Sequence, residues 1–109
     1  MIEVVIKSDK NGNYSGFSVS GHAGYAESGS DIYCSAVSTL VINTINSIEK
    51  FTDTKLKVNS DEKKGLIEAQ FISDVCEKAE ILMKSLVLGL EGIKDECNGK
   101  YIKIFFKEV

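Results

Sequence analysis

The chain of 109 residues has no proline, tryptophan or arginine, and its single histidine is His22. Because every basic residue is a lysine and the net charge is −3, the composition argues against a surface that grips nucleic-acid phosphates. No apolar run reaches the ~18 residues that cross a membrane, and the first residues lack the pattern of a secretory signal peptide. We therefore expect a cytoplasmic protein that directly contacts neither a membrane nor a nucleic acid.

Cysteine is also scarce, with three residues in the chain. An odd number of cysteines without an export signal is not the disulfide framework of a small secreted domain, so we expect reduced thiols. Because no pair of them has the C-x-x-C spacing of a zinc site, we predict no metal and no cofactor. Cys76 and Cys97 lie beside or on the apolar stripe of a predicted helix, and we interpret both as core residues.

The rest of the composition is that of one globular domain over residues 1–109. It is 43% hydrophobic and 27% charged, which suits a small domain with a real core. Alternating apolar residues predict strands, and apolar residues three or four apart predict helices. The predicted elements are strands over 2–6 and 14–20, a helix over 31–51, strands over 56–59 and 66–72, a helix over 74–97 and a strand over 101–107.

This order, ββαββαβ, predicts an α+β fold. The expected architecture is a two-layer sandwich in which two helices cover one face of a mostly antiparallel sheet. Ser30 or Asp31 is the predicted cap of the first helix. Asp74, with Glu77 three residues later, has the pattern of a capping box at the start of the second helix.

The connection between the second strand and the first helix, residues 23–33, is unusually long. Connections in compact domains have a median of ~4–6 residues, whereas this one has eleven and is rich in glycine and serine. Long loops of this composition are often lids or binding loops. We therefore predict that this loop closes over a ligand.

His22 and Cys34 lie at the two ends of this loop. In a helix capped by Asp31, Cys34 is the third helical residue, where unpaired N–H groups and the helix dipole stabilise a thiolate. A thiolate beside an imidazole is an activated nucleophile with a proton-transfer partner. The N–H groups of Cys34 and Ser35 would then be placed to bind the oxyanion of a tetrahedral intermediate.

Each of these residues also has a simpler structural interpretation. Cys34 can be a small buried hydrophobe, and His22 can be a hydrogen-bonded structural group. Asp31 can act only as a helix cap, or its carboxylate can also orient His22. Ser38, one turn after Cys34, either faces the same site or bonds back to its own helix. The residues alone leave these alternatives open.

Two segments together resemble the signature of a known family. Gly21-His22-Ala23 at the strand end, followed by the sequence SDIYCSAVS over residues 30–38, is similar to the signature of the Prp ribosomal-processing cysteine proteases. The resemblance extends over essentially the whole chain. It implies that Cys34 is the nucleophile and His22 its partner, with Gly21, Asp31 and Ser38 as supporting residues.

The resemblance also implies a substrate and an assembly. Members of the family remove the N-terminal extension of large-subunit ribosomal protein number twenty-seven, at a site that includes aromatic residues, and they form homodimers. Tyr33 and Ser35 depart from the family pattern, in which a small aliphatic residue and an alanine are commoner. Since Tyr33 directly precedes Cys34, its effect on the pocket bears on substrate preference.

Two other functions are compatible with the sequence. A non-catalytic module that docks onto a ribosomal protein or an assembly factor needs neither His22 nor Cys34. A redox-sensing protein would use Cys34 as an exposed reactive thiol, but no resolving cysteine is evident. The pairing of His22 with Cys34 therefore favours a cysteine endopeptidase.

Overall fold

A computed structural model describes residues 1–21 and 30–109, with no description of the side chains of Ser30 and Asp31. The predicted order ββαββαβ is confirmed. The elements are β1 (Ile2–Ser8), β2 (Tyr14–Ser20), α1 (Ser30–Phe51), β3 (Leu56–Asp61), β4 (Leu66–Phe71), α2 (Glu77–Glu96) and β5 (Ile102–Glu108).

The strands form one five-stranded sheet in the order β3-β4-β2-β1-β5. β1 and β5 pair in parallel, and the β1–β2, β2–β4 and β3–β4 pairs are antiparallel. The predicted mostly antiparallel α+β sandwich is therefore confirmed. This order places the β3–β4 hairpin beside β2, so that its tip lies near the end of β2 where the long connection begins.

The core lies between one face of the sheet and the two helices. In β1 and β2, the buried side chains are every second residue, as expected for a sheet with one covered face. The sheet contributes Ile2, Val4, Phe17 and Ile102, α1 contributes Val37, Val41 and Ile48, and α2 contributes Ala79, Met83, Leu86 and Leu90. A methyl group on Gly89 would lie 2.6 Å from Leu40 Cδ2, so this glycine allows the helices to pack closely.

The start of α2 differs from the prediction. The helix begins at Glu77 and its cap residue is Cys76, which makes no side-chain capping bond, so the capping box at Asp74 is wrong. Thr54, only 3% exposed, takes over this role because its Oγ accepts the N–H of Cys76 at 3.0 Å. Its hydroxyl proton has two acceptors at 3.2 Å, the Asp74 carbonyl oxygen and Cys76 Sγ.

We expect Thr54→Val to destabilise the protein by about 1–3 kcal/mol, because an unpaired polar group is left at a buried helix end. Valine keeps the shape of threonine, so the loss reports the hydroxyl. Urea unfolding measures the effect, and the exposed Thr39→Val is the control, with a change within about 0.5 kcal/mol. Equal effects at the two positions would contradict the capping role of Thr54.

Neither helix in the described part of the chain combines the length and the apolar character that crossing a bilayer requires.

Candidate active site

A cavity of about 410 Å³ lies where α1, the strand ends and the β3–β4 hairpin meet. Its floor is formed by the β1–β2 part of the sheet, one wall by α1, and the opposite wall by the hairpin. The lining includes Ile2, Val19 and Gly21 in the floor, Cys34, Ser38 and Ile42 in the α1 wall, and Ser60, Asp61, Glu62, Gly65, Leu66 and Ile67 in the hairpin wall.

The α1 wall follows from helical periodicity. Cys34, Ser38 and Ile42 are four residues apart, so their side chains lie on one face of the helix. The Cys34 side chain is half-buried and packs against the edge of the core. The structure thus brings Ser38 into the cavity of Cys34. None of the three cysteines, all of which are described, forms a disulfide.

Gly21 is the point at which β2 ends beside this wall. Its φ is +88°, a value that glycine adopts at little cost and other residues rarely adopt. A Cβ atom at this position would contact the carbonyl oxygen of Met1. The Gly21 N–H also donates to the Lys64 carbonyl oxygen at 3.4 Å, which joins the strand end to the β3–β4 hairpin. A glycine is therefore required here for steric and conformational reasons.

The start of α1 corrects two predictions. Ser30 and Asp31 are already helical residues, so neither is the residue before the helix that a cap occupies. Cys34 is consequently the fifth residue of α1, and the N–H groups of Cys34 and Ser35 belong to the helical hydrogen-bond ladder. The predicted oxyanion site at these two amides is therefore wrong. Polar residues suit both a cap and a first turn, so the sequence does not distinguish the two positions.

Ser35 does not join the cavity of Cys34. Its exposed side chain lines a separate groove between α1 and Ile93 of α2. His22, the side chain of Asp31 and residues 23–29 of the predicted lid over residues 23–33 lie outside the described residues. The lid prediction is wrong for residues 30–33, which belong to α1. Of the predicted site, the structure thus brings together Gly21, Cys34 and Ser38.

Tyr33 packs away from the cavity. Its ring stacks on that of Tyr101, with a centroid distance of 5.2 Å and an interplanar angle of 30°. The ammonium group of Lys100 lies 5.3 Å from the centroid of Tyr101, at the connection between α2 and β5. Tyr33 thus packs the start of α1 against the connection between α2 and β5. It does not contribute to the described lining of the cavity.

The hairpin wall was missed by the sequence analysis. Asp61 and Glu62 belong to a polar turn, and such turns usually face only solvent. The backbone N–H groups of Lys63 and Lys64 donate to Asp61 Oδ1 at 3.0 and 3.3 Å, which fixes the turn. The turn of the β3–β4 hairpin approaches Cys34 only because β4 pairs with β2. No local sequence pattern reveals this long-range contact.

The two remaining cysteines differ from each other. Cys97 is 8% exposed, which confirms its interpretation as a core residue. Cys76 is half-buried against the edge of the core at the start of α2. The hydroxyl of Thr54 is the main cause that lowers the pKa of the Cys76 thiol below its ordinary value, and the backbone N–H groups of Ala79 and Lys78 also lower it.

We expect alkylation of Cys76 to show a pH midpoint below that of an ordinary thiol, and Thr54→Val to move the midpoint upward. Because the folded-state pKa is lowered, the stabilisation from Cys76 ionisation is present above the unfolded-state pKa and disappears as the pH falls through the folded-state pKa. Mass spectrometry of the Cys76 peptide after timed iodoacetamide pulses gives the rates. An unchanged midpoint in Thr54→Val would contradict this origin of the shift.

No three His, Cys, Asp or Glu side chains within the described part of the chain converge in a way that could hold a metal ion. The cavity holds the Cys34 thiol, a group that can act as a nucleophile, and the Ser38 hydroxyl lines the same cavity.

Comparison with known proteins decides the family. The family model described as cysteine protease Prp matches residues 1–103. The chain belongs to the Prp family of cysteine proteases. A ribosomal processing cysteine protease Prp from Bacillus subtilis is 24% identical over 98 residues, which are 86% of this chain and 88% of that protein.

Solved structures agree with this assignment. An essential ribosomal processing protease Prp from S. aureus, in complex with a covalently linked product peptide, has 25% identity and a TM-score of 0.87, with 98% of this chain and 100% of that chain covered. A Streptococcus mutans protein has 27% identity and a TM-score of 0.84, with 100% of this chain and 96% of that chain covered. The chain thus shares its fold with both structures and its cysteine-protease class with the B. subtilis relative.

Proposed function

We propose that this chain is an endopeptidase that removes the N-terminal extension of large-subunit ribosomal protein number twenty-seven. Cys34 is the nucleophile and His22 its proton-transfer partner, within a single catalytic domain over residues 1–109. The observation that carries the proposal is the position of the Cys34 side chain, which lines a peptide-sized cavity beside Gly21 and Ser38 in a chain of the Prp family.

The reaction proceeds in two steps. His22 takes the proton from Cys34 Sγ, and the thiolate attacks the carbonyl carbon of the scissile peptide bond. The tetrahedral intermediate collapses as the C–N bond breaks and the imidazolium of His22 protonates the leaving amine, which leaves a thioester on Cys34. Water, deprotonated by His22, then hydrolyses the thioester and restores the thiol.

Supporting residues position these groups. Since the amides of Cys34 and Ser35 are used within α1, the donor that we assign to the carbonyl oxygen of the substrate is the hydroxyl of Ser38. Asp31, in the first turn of α1, orients His22 through its carboxylate. Gly21 allows β2 to end against β1 immediately before His22, and residues 23–29 close over the bound peptide.

The lining of the cavity fits the expected cleavage site. Val19, Leu66 and Ile67 offer an apolar surface next to Cys34, which suits the aromatic residues that the family resemblance implies beside the cut. Asp61 and Glu62 at the hairpin wall add negative charge, which favours a basic substrate such as a ribosomal protein segment.

The setting of the reaction completes the proposal. The protease acts in the cytoplasm as a homodimer, without a cofactor and without direct contact with nucleic acid or a membrane. These features follow from the acidic, arginine-free composition and from the resemblance of the chain to its family.

The proposal is tested by mixing the purified chain with the ribosomal precursor and weighing the products by mass spectrometry. We expect the precursor to lose its N-terminal extension, whereas a precursor already lacking the extension keeps its mass. A stable complex without any mass loss would instead support the alternative of a non-catalytic binding module and would overturn the peptidase assignment.

A further inference from the structure

The described lining of the proposed catalytic cavity carries charge of one sign. Asp61 and Glu62 in the hairpin wall are its two carboxylates, and no lysine belongs to this described lining. Lys63 and Lys64 follow in the same turn, but both are exposed and lie outside the lining. The turn therefore contributes acidic side chains to the cavity, and a bound peptide meets a negative potential at this wall.

The two carboxylates differ in what they already bind. Asp61 Oδ1 accepts the N–H groups of Lys63 and Lys64 at 3.0 and 3.3 Å, so this carboxylate is part of the turn. The exposed Glu62 carboxylate forms neither a hydrogen bond nor an ion pair with any residue in the described part of the chain. Glu62 therefore supplies the carboxylate that is available to a ligand in the cavity.

The backbone around Glu62 is held in place on both sides. The Glu62 carbonyl oxygen accepts the N–H of Gly65 at 3.2 Å, and Gly65 has a φ of +60°, which a glycine adopts at little cost. The Lys64 carbonyl oxygen accepts the N–H of Gly21, which ties the turn to the end of β2. An anchored residue loses less conformational freedom on binding a ligand than a residue of a mobile loop.

The size of the cavity limits how far Glu62 lies from the reaction along a bound peptide. Cys34 belongs to the α1 wall, opposite the hairpin. A compact space of about 410 Å³ is about 9 Å across, a distance that an extended peptide covers in about three residues. Leu66 and Ile67 line the same wall as Glu62, and apolar neighbours strengthen the attraction between opposite charges.

We propose that Glu62 is a specificity-determining residue, which selects substrates with a lysine or arginine within about three residues of the cleaved bond. An ammonium or guanidinium group forms a charge-assisted hydrogen bond with the Glu62 carboxylate, whereas an acidic side chain is repelled. This inference rests on the proposed function, because it takes Cys34 as the place of cleavage. It goes further by assigning the charge preference to one residue and to a short stretch of the substrate.

Peptides that cover the cleavage site of the precursor test the assignment. Each position within three residues of the cut is occupied in turn by lysine, glutamine or glutamate. At one position or more, we expect kcat/KM for the lysine peptide to exceed that for the glutamine peptide by about 5- to 10-fold at low salt. Glu62→Gln should remove this preference by raising KM, with kcat kept within about twofold, because the contact lies away from the reacting atoms.

A charge reversal and a matched control locate the effect. Glu62→Lys should reverse the preference, so that the glutamate peptide becomes the better substrate. Glu96→Gln removes the same charge from an exposed position of α2 outside the described lining, and it should keep the preference of the wild type. Equal use of all three peptides by the wild type, or a preference that survives in Glu62→Gln, would overturn the proposal.

Binding measurements separate this assignment from the proposed function. Cys34→Ala lacks the proposed nucleophile, so fluorescence anisotropy of labelled peptides gives their Kd without turnover. We expect the lysine peptide to bind most tightly and the glutamate peptide most weakly, and this order should disappear when Glu62→Gln is added. Peptides that bind in this order but stay uncleaved by the wild type would refute the peptidase and support the role of Glu62. Cleavage without any charge preference would refute the role of Glu62 alone.

Discussion

We expect Cys34→Ala to lower the rate of precursor cleavage by at least about 10³-fold, to the level of the background reaction. The sulfur forms a covalent bond to the substrate carbonyl carbon, and alanine has no atom that can replace it. Loss of a nucleophile that acts as a unit with its base commonly removes nearly all of the chemical acceleration. The rate is measured by mass spectrometry of the precursor at equal enzyme concentrations.

The chain supplies a matched control for this variant. Cys76 is also a half-buried cysteine, but it lies at the start of α2, outside the described lining of the cavity. Cys76→Ala should keep cleavage within about threefold of the wild type, provided that the variant is folded. Far-UV circular dichroism and urea unfolding establish folding for both variants. Retention of a tenth or more of the activity in Cys34→Ala would exclude this sulfur as the nucleophile.

Gly21→Ala is expected to lower both stability and activity. A side chain at a φ of +88° costs on the order of 1 kcal/mol, and the added Cβ also meets the carbonyl oxygen of Met1. This oxygen belongs to the backbone at the start of β1 and cannot move aside cheaply. We therefore expect the free energy of unfolding of Gly21→Ala to fall by about 2–4 kcal/mol.

The activity of Gly21→Ala should fall more than its folded fraction explains. Gly21 lines the same cavity as Cys34 and directly precedes His22, so displacement of the strand end also displaces the proposed proton-transfer group. Misplacement of a catalytic group by about 1 Å can cost on the order of 100-fold in rate. The kcat of the folded variant, measured well below its unfolding temperature, isolates this effect.

Gly12→Ala is the control for backbone strain alone. Gly12 has a φ of +84°, close to that of Gly21, but its added Cβ would meet nothing within 4 Å. The Gly12→Ala variant should therefore lose only about 1 kcal/mol of its free energy of unfolding and keep its activity. The difference between the two variants in urea unfolding measures the steric part at Gly21. Equal losses of stability and unchanged kcat in both would contradict the role assigned to Gly21.

The sequence predicted the elements because each is encoded locally. Val37, Val41 and Ile48 in α1 repeat at helical spacing, and the buried residues of α2 do so as well. The β1–β2 turn is encoded by Asp9, whose Oδ1 accepts the N–H groups of Asn11 and Asn13 at 2.8 and 3.0 Å. Since these signals lie within a few residues of each other, one sequence suffices to find them.

The features that the sequence analysis missed depend on long-range contacts. Thr54 caps α2 from 22 positions before Cys76, which no capping pattern within the helix reveals. The approach of Glu62 to the wall of α1 requires β4 to pair with β2. Gly21, Cys34 and Ser38, which the family resemblance implies as site residues, line one cavity, because two of them share a helix face and the third follows the end of β2. Their roles in the reaction stay predictions.

The most direct test of the account is the distance between Cys34 Sγ and the nearer imidazole nitrogen of His22, in a crystal structure with an uncleaved peptide in the cavity. We expect the two atoms to lie within about 4 Å, with the scissile carbonyl carbon next to the sulfur. A peptide seated in the cavity while the imidazole points away from the sulfur, beyond the reach of a proton transfer, would contradict the proposed dyad.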